Sequence, residues 1–205
     1  AIARLPDRLH GLANVAGIAQ AARPETVLAV NFLGLRHLSQ SVLPRLGGGR
    51  IVNVSSVAGR DWHSRRDRLL PLLQTPDFAS GYHWCWDNAE QLQRDPYTFS
   101  KRLVTAYTLQ QALEVLHQDA RINCVSPGPI LTPLYPQFES LMGKAQSDWM
   151  IAQTGRAATA EDIAAVIHML LTADCNWLNG VDVPVDGGYS AGVDSGLIDF
   201  ASSPV

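Results

Sequence analysis

The run Ile51-Val52-Asn53-Val54 constrains the fold most. It is β-branched, apolar and too short for a helix, so it reads as a buried strand. An earlier run, Leu9-His10-Gly11-Leu12-Ala13-Asn14-Val15-Ala16-Gly17, is also strand-like and ends near Ala16 in a glycine. Between them, over residues 25–46, Leu28, Phe32, Leu35, Leu38 and Val42 recur at helical steps after Pro24 and stop at Gly47-Gly48-Gly49. Two strands separated by a whole helix cannot close as a hairpin, so they pair in parallel through a crossover.

The pattern then repeats. A helix is expected over 97–116, followed by the strand Arg121-Ile122-Asn123-Cys124-Val125 and the loop Ser126-Pro127-Gly128-Pro129, whose prolines are expected to end the ladder. Thr159 with Asp162 predicts an N-cap with an acidic N3. The helix it opens places Ile163, Val166, Ile167 and Leu170 on one face. A last strand is expected over 181–185, before Asp186-Gly187-Gly188, and the tail from Ser190 carries little periodic signal. The class is α/β, three layers around a parallel sheet.

With 205 residues, 46% hydrophobic and 17% charged, the chain is long enough for one well-buried core, and residues 1–205 are expected to form one domain. A net charge of −3 without blocks of like charge asks for neither nucleic acid nor an anionic membrane. Cys85, Cys124 and Cys175 form an odd set without a Cys-x-x-Cys pair, and the six histidines lack ligand spacing, so no metal is expected. No run spans a bilayer and no signal peptide is visible, which predicts a soluble, cytoplasmic protein. The first residue is alanine, and the natural N-terminus is expected to lie upstream.

Tyr97 and Lys101 stand four apart at a helix start, so both side chains project from one face. An ammonium near a phenol stabilises phenolate and lowers a pKa that is about 10 in water, allowing proton exchange with an alcohol. By itself a Tyr-x-x-x-Lys pair is common on exposed helices, where Lys101 is a solvated charge. Ser56, however, follows the carboxyl end of a parallel strand, where open α/β sheets place ligands. Taken alone, Ser55 and Ser56 also read as ordinary turn residues, and Asn31 as a satisfied helix amide.

Five segments in order resemble the short-chain dehydrogenase/reductase family: Asn14-Val15-Ala16-Gly17, Val30-Asn31-Phe32-Leu33-Gly34, Ile51-Val52-Asn53-Val54-Ser55-Ser56, Tyr97-Thr98-Phe99-Ser100-Lys101 and Pro127-Gly128-Pro129-Ile130-Leu131-Thr132. The resemblance implies a Rossmann-like, doubly wound parallel sheet lacking its N-terminal βαβ units. It also implies an oxidoreductase that moves hydride between NAD or NADP and an alcohol or carbonyl. It assigns Ser56 to orient the substrate oxygen, Tyr97 as acid/base, Lys101 to lower the Tyr97 pKa and hold the cofactor ribose, and Asn31 to anchor a relay water. Asn14, Ala16, Gly17, Tyr97, Lys101, Pro127, Gly128, Ile130 and Thr132 are the cofactor residues it implies, and a homodimer or homotetramer is the assembly. Val15 replaces the usual second asparagine of the first motif. No Gly-rich turn precedes Leu9, so the chain alone is expected to hold a dinucleotide weakly. The alternative is a truncated, inactive homologue serving as a binding or dimerisation module.

Residues 60–95 interrupt the pattern with Pro71, Pro76 and the aromatics Tyr82, Trp84 and Trp86. They read as a partly helical insertion whose ends join the Ser56 loop to the Tyr97 helix, hence as a lid or wall over the substrate. The alternative is that its aromatics pack it onto the body. An insertion of this length resembles the subgroup of bacterial 3α-hydroxysteroid dehydrogenase/carbonyl reductase and coniferyl-alcohol dehydrogenase, which implies an aromatic or steroid-like substrate and favours NAD.

Overall fold

The computed structural model describes residues 2–204. Four parallel strands lie side by side in chain order: β1 (Gly11–Asn14), β2 (Arg50–Val54), β3 (Arg121–Pro127) and β4 (Asp182–Val185). Asn14 sits opposite Asn53, and Asn53 opposite Cys124. β3 runs past its expected end, because Ser126 and Pro127 still pair with Pro184 and Val185. Each proline forfeits only the bond it cannot donate, and β4 lies at the sheet edge, where that loss is tolerated.

The helix expected over 25–46 is interrupted. It consists of α1 (Pro24–Leu28), a π-helical turn (Ala29–Gly34) and α2 (Leu35–Val42), and ends in a 3-10 turn at Leu43–Arg45, where Pro44 cannot continue the bonding. The insertion is helical almost throughout: a 3-10 segment (Val57–Arg65), then α3 (Arg66–Leu73), α4 (Phe78–Asp87) and α5 (Ala89–Leu92). α6 (Pro96–His117) begins with Asp95 accepting from the Thr98 amide at 3.1 Å. Beyond β3 come α7 (Tyr135–Met142), α8 (Lys144–Thr154) and α9 (Ala160–Thr172), the last opened by the expected Thr159–Asp162 capping box. The tail, which lacked periodicity, still forms α10 (Tyr189–Asp194) and a 3-10 turn at Phe200–Ser202.

Alternation along the strands divides the core into two layers. Ile51 and Ile122 face α1, α2 and α6, together with Phe32, Leu103 and Val104. Val52 and Val125 face Ile163 and Leu170 of α9. The strands advance in one direction while α6 and α9 cover opposite faces, so the β3–β4 connection crosses with the opposite hand to the two before it. A long excursion through α7 and α8 lets it reach the far face. Leu103, Ile51 and Ile122 are at most 1% exposed, and each such side chain contributes about 1.5–3 kcal/mol on burial.

A polar ladder crosses the first layer. The Asn14 amide donates to Ser39 Oγ at 2.9 Å and to Asn53 Oδ1 at 2.8 Å, and Asn53 donates to Thr108 Oγ1 at 2.9 Å. These groups are buried, so leaving one unpaired would cost about 1–3 kcal/mol. The ladder fixes β1 against β2, and β2 against α6.

Candidate active site

The carboxyl ends of β1, β2 and β3 open on one edge of the sheet, and the start of α6 stands beside them. Lys101, buried, extends its ammonium to the carbonyl of Val54, the last residue of β2, with Nζ···O at 2.9 Å. Its Nζ lies 5.7 Å from the centre of the Tyr97 ring. Ser56, two residues past β2, caps the 3-10 segment by accepting from the Ala58 amide at 3.2 Å, which leaves its proton free to donate. Its hydroxyl is close enough to the Tyr97 phenol to favour phenolate through a hydrogen bond. Ser55 points inward and donates to the Lys101 carbonyl at 3.0 Å. The two serines therefore divide the work: Ser55 ties the strand end to α6, and Ser56 faces the phenol.

Two influences act on the Tyr97 phenol in opposite directions. Burial pushes the phenol up to about 12, and only the Ser56 hydroxyl opposes this. Burial also brings Lys101 down to about 8. The amine donates to the Val54 carbonyl and keeps its charge beside the ring whenever it is protonated.

Asn31 sits in the π-turn, 1% exposed. Its Oδ1 accepts from the Ile18 amide at 2.8 Å, and its Nδ2 donates to the Ile18 carbonyl at 3.0 Å and to Ser100 Oγ at 3.0 Å. Ser100 in turn donates to the Tyr97 carbonyl at 2.7 Å. The side chain thus ties the loop after β1 to the first turn of α6, and the widened backbone turn is what brings it there. Sequence reading passed over Ser100, although its i+3 spacing from Tyr97 marked a shared face.

The residues expected to hold a cofactor fall into two groups. Asn14 commits its amide to the interior ladder, so only its backbone faces the sheet edge. Ala16 is exposed beside it. Gly17 passes so near the site that a Cβ there would meet Asn31 Oδ1 at 3.3 Å and Lys101 Nζ at 3.8 Å. At the end of β3, Pro127 is buried in the strand and Gly128 packs on Asp186, where a Cβ would meet the Asp186 Cβ at 3.2 Å. Ile130 makes a parallel bridge in which the Pro129 carbonyl and Leu131 amide bond to Ala158, each at 2.9 Å. That leaves the amide and carbonyl of Ile130 itself turned the other way, a donor and an acceptor side by side. Such a pair fits a primary carboxamide, and Lys101 with two unspent N–H bonds fits sugar hydroxyls. The residues present suit the nicotinamide end of a dinucleotide. Thr132 begins the turn into α7, its carbonyl accepting from the Tyr135 amide at 2.9 Å.

The insertion aromatics lie elsewhere. Trp84 stacks on Phe99 with centroids 6.4 Å apart, Tyr82 stacks on Phe78 at 6.3 Å, and the half-exposed Trp86 lies under the Arg23 guanidinium at 5.1 Å. A cavity of about 200 Å³ between Trp84, Phe99 and α3 does not include Tyr97. The insertion is instead stapled to α2 by buried Arg36, which donates to the carbonyls of Leu72, Thr75 and Asp77 and to Thr75 Oγ1 at 2.9–3.2 Å. The ring against Tyr97 belongs to Phe138 of α7, edge-on at 5.0 Å. No sequence signal singled out Phe138, because α7 buries none of its residues.

Among the described residues there is no cluster of three or more His, Cys, Asp or Glu able to hold a metal, and no helix is long and apolar enough to cross a membrane.

A phenol, a serine hydroxyl and a buried amine gathered at parallel strand ends define a class of α/β oxidoreductases, and sequence comparison agrees. Residues 1–65 match the family described as short chain dehydrogenase, and residues 88–190 the one described as enoyl-(acyl carrier protein) reductase. The chain belongs to the short-chain dehydrogenase/reductase family. It is 34% identical to a coniferyl-alcohol dehydrogenase of Pseudomonas sp. strain HR199 over 192 residues, covering 93% of this chain and 75% of that protein. It is 26% identical to the 3-alpha-hydroxysteroid dehydrogenase/carbonyl reductase of Comamonas testosteroni, covering 93% and 76%. Of other curated relatives it spans only about half the length. The crystal structure of the 3-alpha-hydroxysteroid dehydrogenase from Pseudomonas sp. B-0831, complexed with NADH, superposes with a TM-score of 0.76 at 25% identity, covering 92% of this chain and 76% of that one.

Proposed function

We propose that the protein is an NAD(P)-dependent alcohol dehydrogenase/reductase acting on an aromatic alcohol of the coniferyl kind or on a steroid-like alicyclic alcohol, with NAD as the favoured cofactor. The observation that carries this reading is the buried Lys101 ammonium at the end of β2, 2.9 Å from the Val54 carbonyl and 5.7 Å from the centre of the Tyr97 ring, with Ser56 two residues past the same strand. A bound nicotinamide would supply the hydride chemistry at the carbinol carbon. Ser56, whose oxygen accepts from the Ala58 amide, would turn its one proton from the phenol to the substrate oxygen. Tyr97 takes the hydroxyl proton in oxidation and returns it in reduction. Lys101 and Gly17 would hold the ribose side of the cofactor, Ile130 its carboxamide through the backbone pair, and Thr132 would add its hydroxyl. Asn31 holds the loop after β1 at the site and anchors a relay water through the π-turn.

The aromatic preference is supported by the Phe138 ring at Tyr97 and by the exposed Leu131, Leu141 and Met142 around α7. A non-catalytic binding module is the weaker reading, since nothing else would bring three reactive groups to one strand end. The same reading takes the chain as one domain with an insertion, working in the cytoplasm as a homodimer or homotetramer through α9 and the edge strand β4. The test is oxidation of coniferyl alcohol and of a 3α-hydroxysteroid, with NAD⁺ and NADP⁺ compared, followed by the growth of reduced-nicotinamide absorbance. Absence of turnover with both alcohols and both cofactors, at cofactor concentrations that offset the weak dinucleotide binding expected of the chain, counts against it.

A further inference from the structure

The 3-10 segment that Ser56 caps bends at Asp61, whose backbone leaves the helical region with φ −83° and ψ 15°. At that bend the carboxylate meets Arg102 of α6 two-pronged, Nε to Oδ1 at 2.6 Å and Nη2 to Oδ2 at 2.7 Å. Arg102 follows Lys101 directly. About 100° further round the helix, it points at the 3-10 segment while Lys101 points at the end of β2. Between the two ends of the segment, Gly59 lies against α6 so closely that a Cβ would come 2.7 Å from the Lys101 carbonyl and 2.8 Å from Ser55 Oγ. The segment carrying Ser56 is therefore pressed on the very turn that carries Lys101, one turn on from Tyr97.

We propose that the Asp61–Arg102 ion pair is a positioning clamp that sets the distance between the Ser56 hydroxyl and the Tyr97 phenol. Resting on the reading of these two as the proton-handling pair, the clamp acts through the backbone of two elements and touches neither substrate nor cofactor. A planar guanidinium fork fixes orientation as well as separation, which a lysine would not. Arg65, at 3.9 Å from Asp61 Oδ2 on the same segment, supplies charge but no link to α6. An ion pair this exposed adds little to stability, since Asp61 is 47% exposed. Its effect falls on geometry, where a shift of about 1 Å at reacting atoms costs up to about a hundredfold in rate.

The test uses the full chain with Arg102→Met, Asp61→Asn and the double variant, measuring alcohol oxidation together with hydrogen exchange at the Ala58 amide, which bonds to Ser56 Oγ. Each single variant is expected to lower kcat about tenfold with KM within about twofold, and to speed Ala58 exchange while the exchange of β2 stays unchanged. The double variant should be no worse than either single one, because all three remove the same link. Wild-type kcat in Arg102→Met, or losses that add in the double variant, overturns the clamp. If the unaltered chain turns over no alcohol, the functional reading falls, and unchanged Ala58 exchange in Arg102→Met then overturns the clamp independently. Should Arg102→Met fail to fold, Arg102→Lys, which keeps the charge and loses the fork, carries the same measurements.

Discussion

Phe138 stands edge-on to Tyr97, with ring centroids 5.0 Å apart and planes at 66°. The Tyr97 ring is thus covered by an aromatic side chain from a helix that buries none of its own residues. A substrate ring entering beside Tyr97 meets Phe138 first and can exchange one aromatic contact for another. Phe138→Ala should raise KM for coniferyl alcohol about five- to tenfold, the worth of one aromatic pair, while leaving a small aliphatic alcohol nearly unaffected. Equal changes for both substrates would show that Phe138 does not select the ring.

Tyr97 in the chain without ligands should remain a neutral phenol through pH 10, since burial holds its pKa near 12. Observing the tyrosine ring carbons by NMR, with Tyr97→Phe to assign the signal, checks this directly. A midpoint below pH 9 would contradict the burial argument. The same Tyr97→Phe variant should lose about 10²–10⁴-fold in turnover, the usual reach of a general acid/base.

Lys101 makes stability depend on pH in a definite direction. Its folded pKa of about 8 lies below the ordinary 10.5, so between these values the unfolded chain binds more protons and stability rises with pH. Below about pH 8 the full cost of burying the ammonium is present. Cys85 and Tyr107, both pushed up to about 12, act in the opposite sense at higher pH and are common to wild type and variant. Lys101→Met should therefore gain more stability relative to wild type at pH 7 than at pH 10 in urea unfolding. A constant difference across that range would place the amine in solvent.

Arg36→Met should detach the insertion. The guanidinium bonds to the carbonyl of buried Leu72 in α3, to that of Thr75 in the junction and to that of Asp77, the cap of α4, and losing these bonds should cost about 1–3 kcal/mol. Gly81 allows this approach, because a Cβ there would stand 2.6 Å from Leu33 Cδ2. Limited proteolysis should cut near Thr75 in the variant first. Unchanged resistance with unchanged stability would mean that the aromatics alone hold the insertion.

What the sequence determined is what depends on neighbours along the chain. Periodicity marked β1 to β4 and the crossover helices, Thr159 with Asp162 marked a cap, and the four-residue step put Tyr97 and Lys101 on one helix face, because strand alternation, capping and helical spacing are set within a few residues. The family motifs, read in order, also pointed to Ser56 and Asn31. Only the tertiary structure decided the rest. That the helix over 25–46 widens into a π-turn at Asn31, that Lys101 spends a bond on the Val54 carbonyl, that burial pushes the Tyr97 pKa up, and that Phe138 rather than Trp84 covers the phenol all depend on groups distant in sequence. Desolvation and close packing are properties of the assembled interior, and no local pattern of residue types encodes which side chain will be the one that closes over another.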